Sequence, residues 1–294
     1  MTPQPLATST AKRNVRLFMA FRILFNIRFY YPVFMVMFLK YGITLEQFGL
    51  LNAVWAVVIV LLEVPSGALA DILGRKALLV AAAIMMTVEM LLLAVVPIGS
   101  SWVFPALLLN RILSGAAEAF ASGADEALAF DSLKAVGKDG DWPRVLERLM
   151  QVGGLATIVA MVTGSLVYSP DLIQAASDWA GYKTLITLDD TFRLPVWLTF
   201  FSGCGAILVT LSMRELPREE SLKHVTLLDP FRQTFQTGRW ILTNPMVLIV
   251  SAAGGLFDQP IRQLLVVSSQ LYARIDIPVL YFGVISAGTA VIGL

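Results

Sequence analysis

Apolar residues run through this 294-residue chain in blocks of membrane-crossing length, each closed by a cluster of charges or turn residues. A helix needs about 20 apolar residues to cross roughly 30 Å of hydrocarbon. The pattern predicts eight such helices, over 17–39, 47–70, 77–96, 103–130, 146–168, 194–213, 240–268 and 278–294. Leu149 to Ser169 and Leu194 to Met213 hold no charge at all. Helices satisfy their own backbone groups in lipid, and the ~10-residue alternation of a transmembrane barrel is absent. The start, Met1 to Arg16, is polar and then basic. The apolar stretch that follows carries Arg22 and Arg28 and no small-residue cleavage site, so it reads as a retained first span and not a signal peptide.

Composition agrees. Hydrophobic residues make up 57% of the chain and charged residues 15%, with a mean hydropathy of +0.73. A soluble domain carries about 25% charge. The net charge of +1 and the lack of a basic tract exclude nucleic acid as a partner. The charges instead sort by side. With the N-terminus in the cytoplasm, the inner loops hold fourteen Lys and Arg residues and the outer loops four, which fixes that orientation. The longest inner break, Arg214 to Arg239, follows the sixth span. It divides the chain into a six-helix bundle (1–213), a linker (214–239) and the start of a second bundle (240–294). A short internal repeat supports the division: Phe48 to Val57 aligns with Phe282 to Val291, five of ten positions being identical. Tyr30-Tyr31-Pro32 has a counterpart in Asp258-Gln259-Pro260. On this reading the chain ends inside its eighth helix, four helices short of two complete halves. Paired six-helix halves are a recurring secondary-transporter design, with solute bound near the midplane between them.

The second span closes on Gly67-Ala68-Leu69-Ala70-Asp71-Ile72-Leu73-Gly74-Arg75-Lys76. Gly67 is expected to allow close helix contact, Gly74 a tight turn, and Arg75 and Lys76 to anchor the loop on the inner side. This segment resembles the loop 2–3 signature of the major facilitator superfamily at every defining position. The resemblance implies an all-α membrane fold of that type. It also implies a latch role for Asp71 and Arg75, with a partner in a late helix beyond Leu294. The fourth span offers Arg111-Ile112-Leu113-Ser114-Gly115-Ala116-Ala117-Glu118-Ala119, similar to a pattern of the superfamily implicated in proton coupling. The stretch from Ser122 to Leu133 is similar to that of one bacterial branch. The antiporter signature Gly-x-x-x-Gly-Pro is missing from the fifth span, which weakens a drug/proton exchange reading.

Ionisable groups inside spans cost at least ~2.5–3.5 kcal/mol each and therefore need partners, water or a function. Matching depth along the helices pairs Arg22 with Glu63 near the inner side and Arg28 with Glu118 near the midplane, with Glu89 and Arg111 nearer the outside. Asp258 and Arg262, four apart, are expected to pair within the seventh helix. Arg111, Gly115, Glu118, Ser122 and Asp125 form one stripe of a continuous helix. Glu118 is the leading candidate for a coupling proton, with Arg28 setting its charge balance. Arg22 with Glu63 reads as a structural pair. Asp125, Glu126 and Asp131 read as solvated or loop-pairing charges. Pro32 and Pro260 are expected to bend their helices. The single Cys204, the isolated His224 and the absence of a phosphate loop argue against a disulfide framework, a metal, a cofactor or ATP.

The expectation is a monomeric, proton-coupled carrier of a small solute, working by alternating access in a bacterial inner membrane. The alternatives are a non-transporting fragment and a membrane-embedded enzyme.

Overall fold

The computed structural model describes residues 5–182, 184–215, 236 and 239–292, with side chains over the same residues except 5–7, 71, 251–252, 254–265 and 290–292. Among the described residues every regular element is helical. Six stretches are long and apolar enough to cross a membrane: Thr8–Lys40, Leu45–Ala70, Arg75–Val95, Val103–Lys134, Asp139–Tyr168 and Leu188–Ser212. This is the architecture of a multi-pass α-helical membrane protein. The six coincide with the first six expected spans. The seventh falls on a helix much of whose side-chain detail lies outside the described residues, and the eighth on the shorter apolar stretch Val279–Thr289.

Two spans are interrupted. The first is α1 (Pro5–Asn26), a 3-10 turn at Tyr31–Val33 and α2 (Phe34–Lys40). Pro32 opens that turn, where its missing N–H costs nothing. Pro260, by contrast, lies within an unbroken helix. After α3 (Leu45–Leu73) comes Gly74, whose φ of +102 turns the chain straight into α4 (Arg75–Val95). The fourth span is α5 (Val103–Ala121) and α6 (Ala124–Lys134), separated at Gly123 with φ +73. The expected charged stripe from Arg111 to Asp125 is thus broken at its inner third. Next come α7 (Trp142–Tyr168), α8 (Pro170–Trp179), α9 (Leu188–Thr191) and α10 (Leu194–Ser212), and then α11 (Pro245–Arg274) and α12 (Phe282–Ile292).

Helix α4 lies at the centre, packed on α5 and α10, with α3 against α5 and α1 against α6 and α10. In lipid there is no hydrophobic gain from joining helices, so small residues that let backbones approach carry the packing. Ala82, Ala83, Ala117, Ala121 and Ala206 do so in one cluster. A Cβ on Gly164 of α7 would stand 1.7 Å from the Phe29 carbonyl oxygen at the break in the first span. Only hydrogen fits there. On the outside, Val60, Leu155 and Leu208 are each more than 60% exposed, an apolar exterior suited to lipid.

Helices α11 and α12 pack on α2 and α7, respectively. Their junction repeats that between α2 and α3 at a constant offset of 234 residues. Gly42, with φ +96, corresponds to Asp276, with φ +56 and the only non-glycine residue with positive φ among the described residues (276 − 42 = 234). Phe38 packs edge-on against Phe48 with ring centroids 5.7 Å apart. At the same offset, Tyr272 packs against Phe282 at 5.3 Å. The same left-handed turn and the same ring pair thus join two consecutive helices at two places in the chain.

Candidate functional site

The charges inside the spans separate into two groups. The deeper is built on Arg28, just past the end of α1. Its guanidinium donates from Nη1 to Glu89 Oε1 of α4 at 2.8 Å, with both side chains at most 5% exposed. Arg111 of α5 lies beside them, buried, with its Nε donating to Asn110 Oδ1 at 2.8 Å. Its guanidinium carbon is 5.3 and 5.2 Å from the ring centroids of Phe34 and Phe38 on α2. Asn110 in turn donates to the Glu89 backbone carbonyl at 2.9 Å. Arg28 thus takes the carboxylate, while Arg111 is met by an amide oxygen and two aromatic faces and keeps its Nη2 without a hydrogen-bond partner among the described residues. Depth matching paired Arg28 with Glu118 and Glu89 with Arg111. The structure pairs Arg28 with Glu89 instead, because α4 presents Glu89 to the break in the first span, whereas Glu118 turns toward a cavity.

That cavity, about 450 Å³, lies between α1, α3, α5 and α6, nearer the end of the bundle that carries Asn14, Arg75 and Arg214, here called the basic end. Arg22, Phe25, Ile59, Glu63, Glu118 and Glu126 line it, together with the chain from Ala121 to Gly123 at the break in the fourth span. Arg22 does not pair with Glu63, as depth alone predicts. Its Nε meets Asp125 Oδ2 at 2.8 Å and its Nη2 meets Glu126 Oε1 at 2.5 Å. The Gly123 turn is the physical reason: it redirects α6 so that its first two acidic side chains reach α1. Asp125, expected to be solvated or to pair in a loop, is buried and pairs with Arg22 of α1. Glu118 is half-buried and Glu63 exposed along the cavity wall. Neither carboxylate makes a hydrogen bond or ion pair among the described residues. Asp258 and Arg262 lie on α11, and their expected pairing lies outside the described residues, as does the Asp71 side chain.

At the basic end the Gly67–Lys76 turn is anchored on three neighbours. The Arg75 backbone N–H donates to Glu215 Oε1 at 2.8 Å, and its guanidinium pairs with Asp131 at the end of α6. Lys76 Nζ donates to the Leu211 carbonyl at 2.8 Å. Gly74 is buried against Glu215, whose Oε2 would stand 2.5 Å from an added Cβ. Gly67 differs from expectation. It is exposed, and a Cβ there would meet nothing within 4 Å among the described residues, so the close helix contact falls to Gly115, whose Cβ would stand 2.8 Å from the Trp55 carbonyl.

Three participants carry no signal of their own in the sequence. Asn110 follows the apolar run of α5 as an ordinary polar residue. Asn14 lies in a polar segment, yet it is fully buried: its Nδ2 donates to the Arg214 carbonyl at 2.7 Å and to Ser132 Oγ at 2.9 Å, and its Oδ1 accepts the Arg214 N–H at 3.1 Å. Ser132 is the third. An asparagine between basic residues and an apolar run was the available hint. No cluster of three or more His, Cys, Asp or Glu able to hold a metal exists among the described residues. Comparison of the sequence with protein-family models and with curated proteins returned no match.

Proposed function

We propose that this chain is a secondary transporter of the major facilitator type, carrying a small solute by alternating access with protons as the coupling ion. The observation that carries the reading is the charged cavity between α1, α3, α5 and α6. It is a recess walled by membrane-length helices and lined by Arg22, Glu63, Glu118 and Glu126. The signature-like turn ending in Gly74-Arg75-Lys76, held by Asp131 and Glu215, and the matched junctions 234 residues apart are in keeping with it. Glu118 is the coupling carboxylate in this proposal. It borders the cavity, where water reaches it or leaves it as the cavity opens and closes, whereas Glu89 is committed to Arg28. Asp71, Arg75 and Lys76 belong to a latch at the cytoplasmic face, and the protein resides in a bacterial inner membrane with its N-terminus inside, as a monomer.

Alternating access is testable before the solute is known. Ser122→Cys in a Cys204→Ser background places one thiol at the cavity. A membrane-impermeant maleimide is expected to label it at a rate that changes when a proton gradient is imposed. A rate indifferent to the gradient contradicts the proposal. Reconstituted vesicles should then show proton-gradient-dependent flux that Glu118→Gln uncouples.

A further inference from the structure

Helix α8 separates its polar from its apolar residues. At 100° per residue, Leu172, Ala175, Ala176 and Trp179 fall on one side, and Asp171, Gln174 and Asp178 on the other. An apolar stripe of this kind ordinarily faces a protein core. Here all four of its residues are exposed, Trp179 at 91%. The chain folds back instead on the polar side. The Ile186 N–H donates to Gln174 Oε1 at 2.7 Å, and Gln174 Nε2 donates to Asp178 Oδ1 at 2.8 Å. The element is also fixed at both ends. Ser169, buried and extended at φ −75 and ψ 119, turns the chain out of α7. Thr191 Oγ1 of α9 donates to the Tyr168 carbonyl at 2.9 Å, and Asp189 of α9 pairs with Lys40 at 2.7 Å. The exposed apolar face thus belongs to an anchored helix.

Chain direction gives the level at which it lies. Helix α4 starts at the basic end with Arg75 and reaches the opposite end at Val95, just before Trp102 and α5. Helix α6 returns to the basic end, where Asp131 meets Arg75, so α7 ends opposite it at Tyr168. Ser165, in the last turn of α7, donates to the Leu280 carbonyl at 3.3 Å, which puts Tyr281 at the same end. Trp102, Trp179, Tyr182 and Tyr281 therefore come from three separate connections to one end of the bundle, and each is more than half exposed. Trp and Tyr collect where membrane meets water, because each ring is apolar with one polar atom. Leu155 and Val159 already turn the outside of α7 to lipid, and α8 takes up the chain just beyond. Its only charges are Asp171 and Asp178, so apolar contact, without attraction to anionic headgroups, has to hold it.

We propose that α8 is an interfacial helix, lying at the lipid–water boundary opposite the basic end. Leu172, Ala176 and Trp179 enter the lipid, Asp171, Gln174 and Asp178 face water, and zwitterionic lipid is enough to seat it. The inference needs the membrane-spanning architecture and not the transporter reading.

Nitroxide labels test it on the full chain in phosphatidylcholine nanodiscs, one each on Leu172→Cys, Ala176→Cys, Asp171→Cys and Asp178→Cys in a Cys204→Ser background. Collisions with oxygen, which concentrates in lipid, are compared with collisions with a water-soluble nickel chelate. The oxygen-to-nickel ratio is expected to be several-fold higher at 172 and 176 than at 171 and 178. Replacing part of the lipid with phosphatidylglycerol should leave that pattern unchanged. Trp179 gives a second reading, which carries the test if a labelled variant does not fold by thermal melting. The emission lost in Trp179→Phe isolates its signal, and lipid brominated high on its acyl chains should quench that signal. Equal ratios at all four positions would put the helix in water. Labels at 172 and 176 shielded from both reagents would mean that protein, such as a second copy of the chain, covers the face. A pattern that needs phosphatidylglycerol would mean that charge holds the helix. Any of these, or a Trp179 signal indifferent to brominated lipid, overturns the proposal.

Discussion

Arg28 and Arg22 lie six residues apart on the first span, and their surroundings differ in kind. Arg28 is enclosed, its partner Glu89 is fully buried, and the neighbouring Arg111 is closed in by Phe34 and Phe38. Arg22 is part-exposed at the rim of a cavity, braced by two acids, while Glu118 and Glu63 nearby have neither hydrogen bond nor ion pair among the described residues. The first group is shut away from solvent, yet its Arg111 Nη2 has no hydrogen-bond partner among the described residues. The second keeps negative charge uncommitted. Charge within the spans thus stands in two settings in one bundle, distinguished by whether a carboxylate has a partner more than by how deep it lies.

Substitutions can break this contrast in order of expected size. Arg28→Met leaves Glu89 buried beside a methyl group, and stranding one member of a buried pair costs about 3–5 kcal/mol. A large fall in melting temperature in detergent is expected, with most of it recovered in the double variant Arg28→Met/Glu89→Met. A double variant as unstable as the single would show that the pair is not coupled. Gly164→Ala pushes a methyl group onto the Phe29 carbonyl, the kind of overpacking that costs about 1–3 kcal/mol. It should loosen the break in the first span, read as faster hydrogen exchange at residues 27–33. Arg75→Gln and Asp131→Asn should each cost no more than ~1 kcal/mol, since both side chains are partly in solvent. A double-mutant cycle on melting temperature reports their coupling. Smallest of all, Glu118→Gln and Glu63→Gln should shift stability by less than ~0.5 kcal/mol while altering flux. A stability loss as large as that of Arg28→Met would place Glu118 with the structural group.

The spans were legible because membrane length is a one-dimensional property, and the first six expected segments fall on the six long apolar stretches, although the first, fifth and sixth of these begin about six to nine residues earlier than expected. The partners were not. Depth along a helix gives a side chain's height but not its direction, and two features turn directions here. Residues 27–33 depart from the helix, which swings Arg28 toward α4, and Gly123 redirects α6, which brings Asp125 and Glu126 to Arg22. Pro32 announced the first. Gly123, one glycine among several in a small-residue stretch, did not announce the second. The repeat was visible over Phe48–Val57, yet its more telling part lies just upstream. Lys40-Tyr41-Gly42-Ile43 and Arg274-Ile275-Asp276-Ile277 share little by identity but take the same left-handed turn at the same position. Asp substitutes for Gly because its short polar side chain tolerates that region.

Asn14 ties the first, fourth and sixth spans together through Ser132 and Arg214. It is also the point where the segment leading into the first span grips the residue just past the end of α10. An N-terminal affinity tag or a deletion running past residue 14 is therefore a perturbation of position 214, 200 residues away. A reporter placed at position 214 should sense changes made around residue 14.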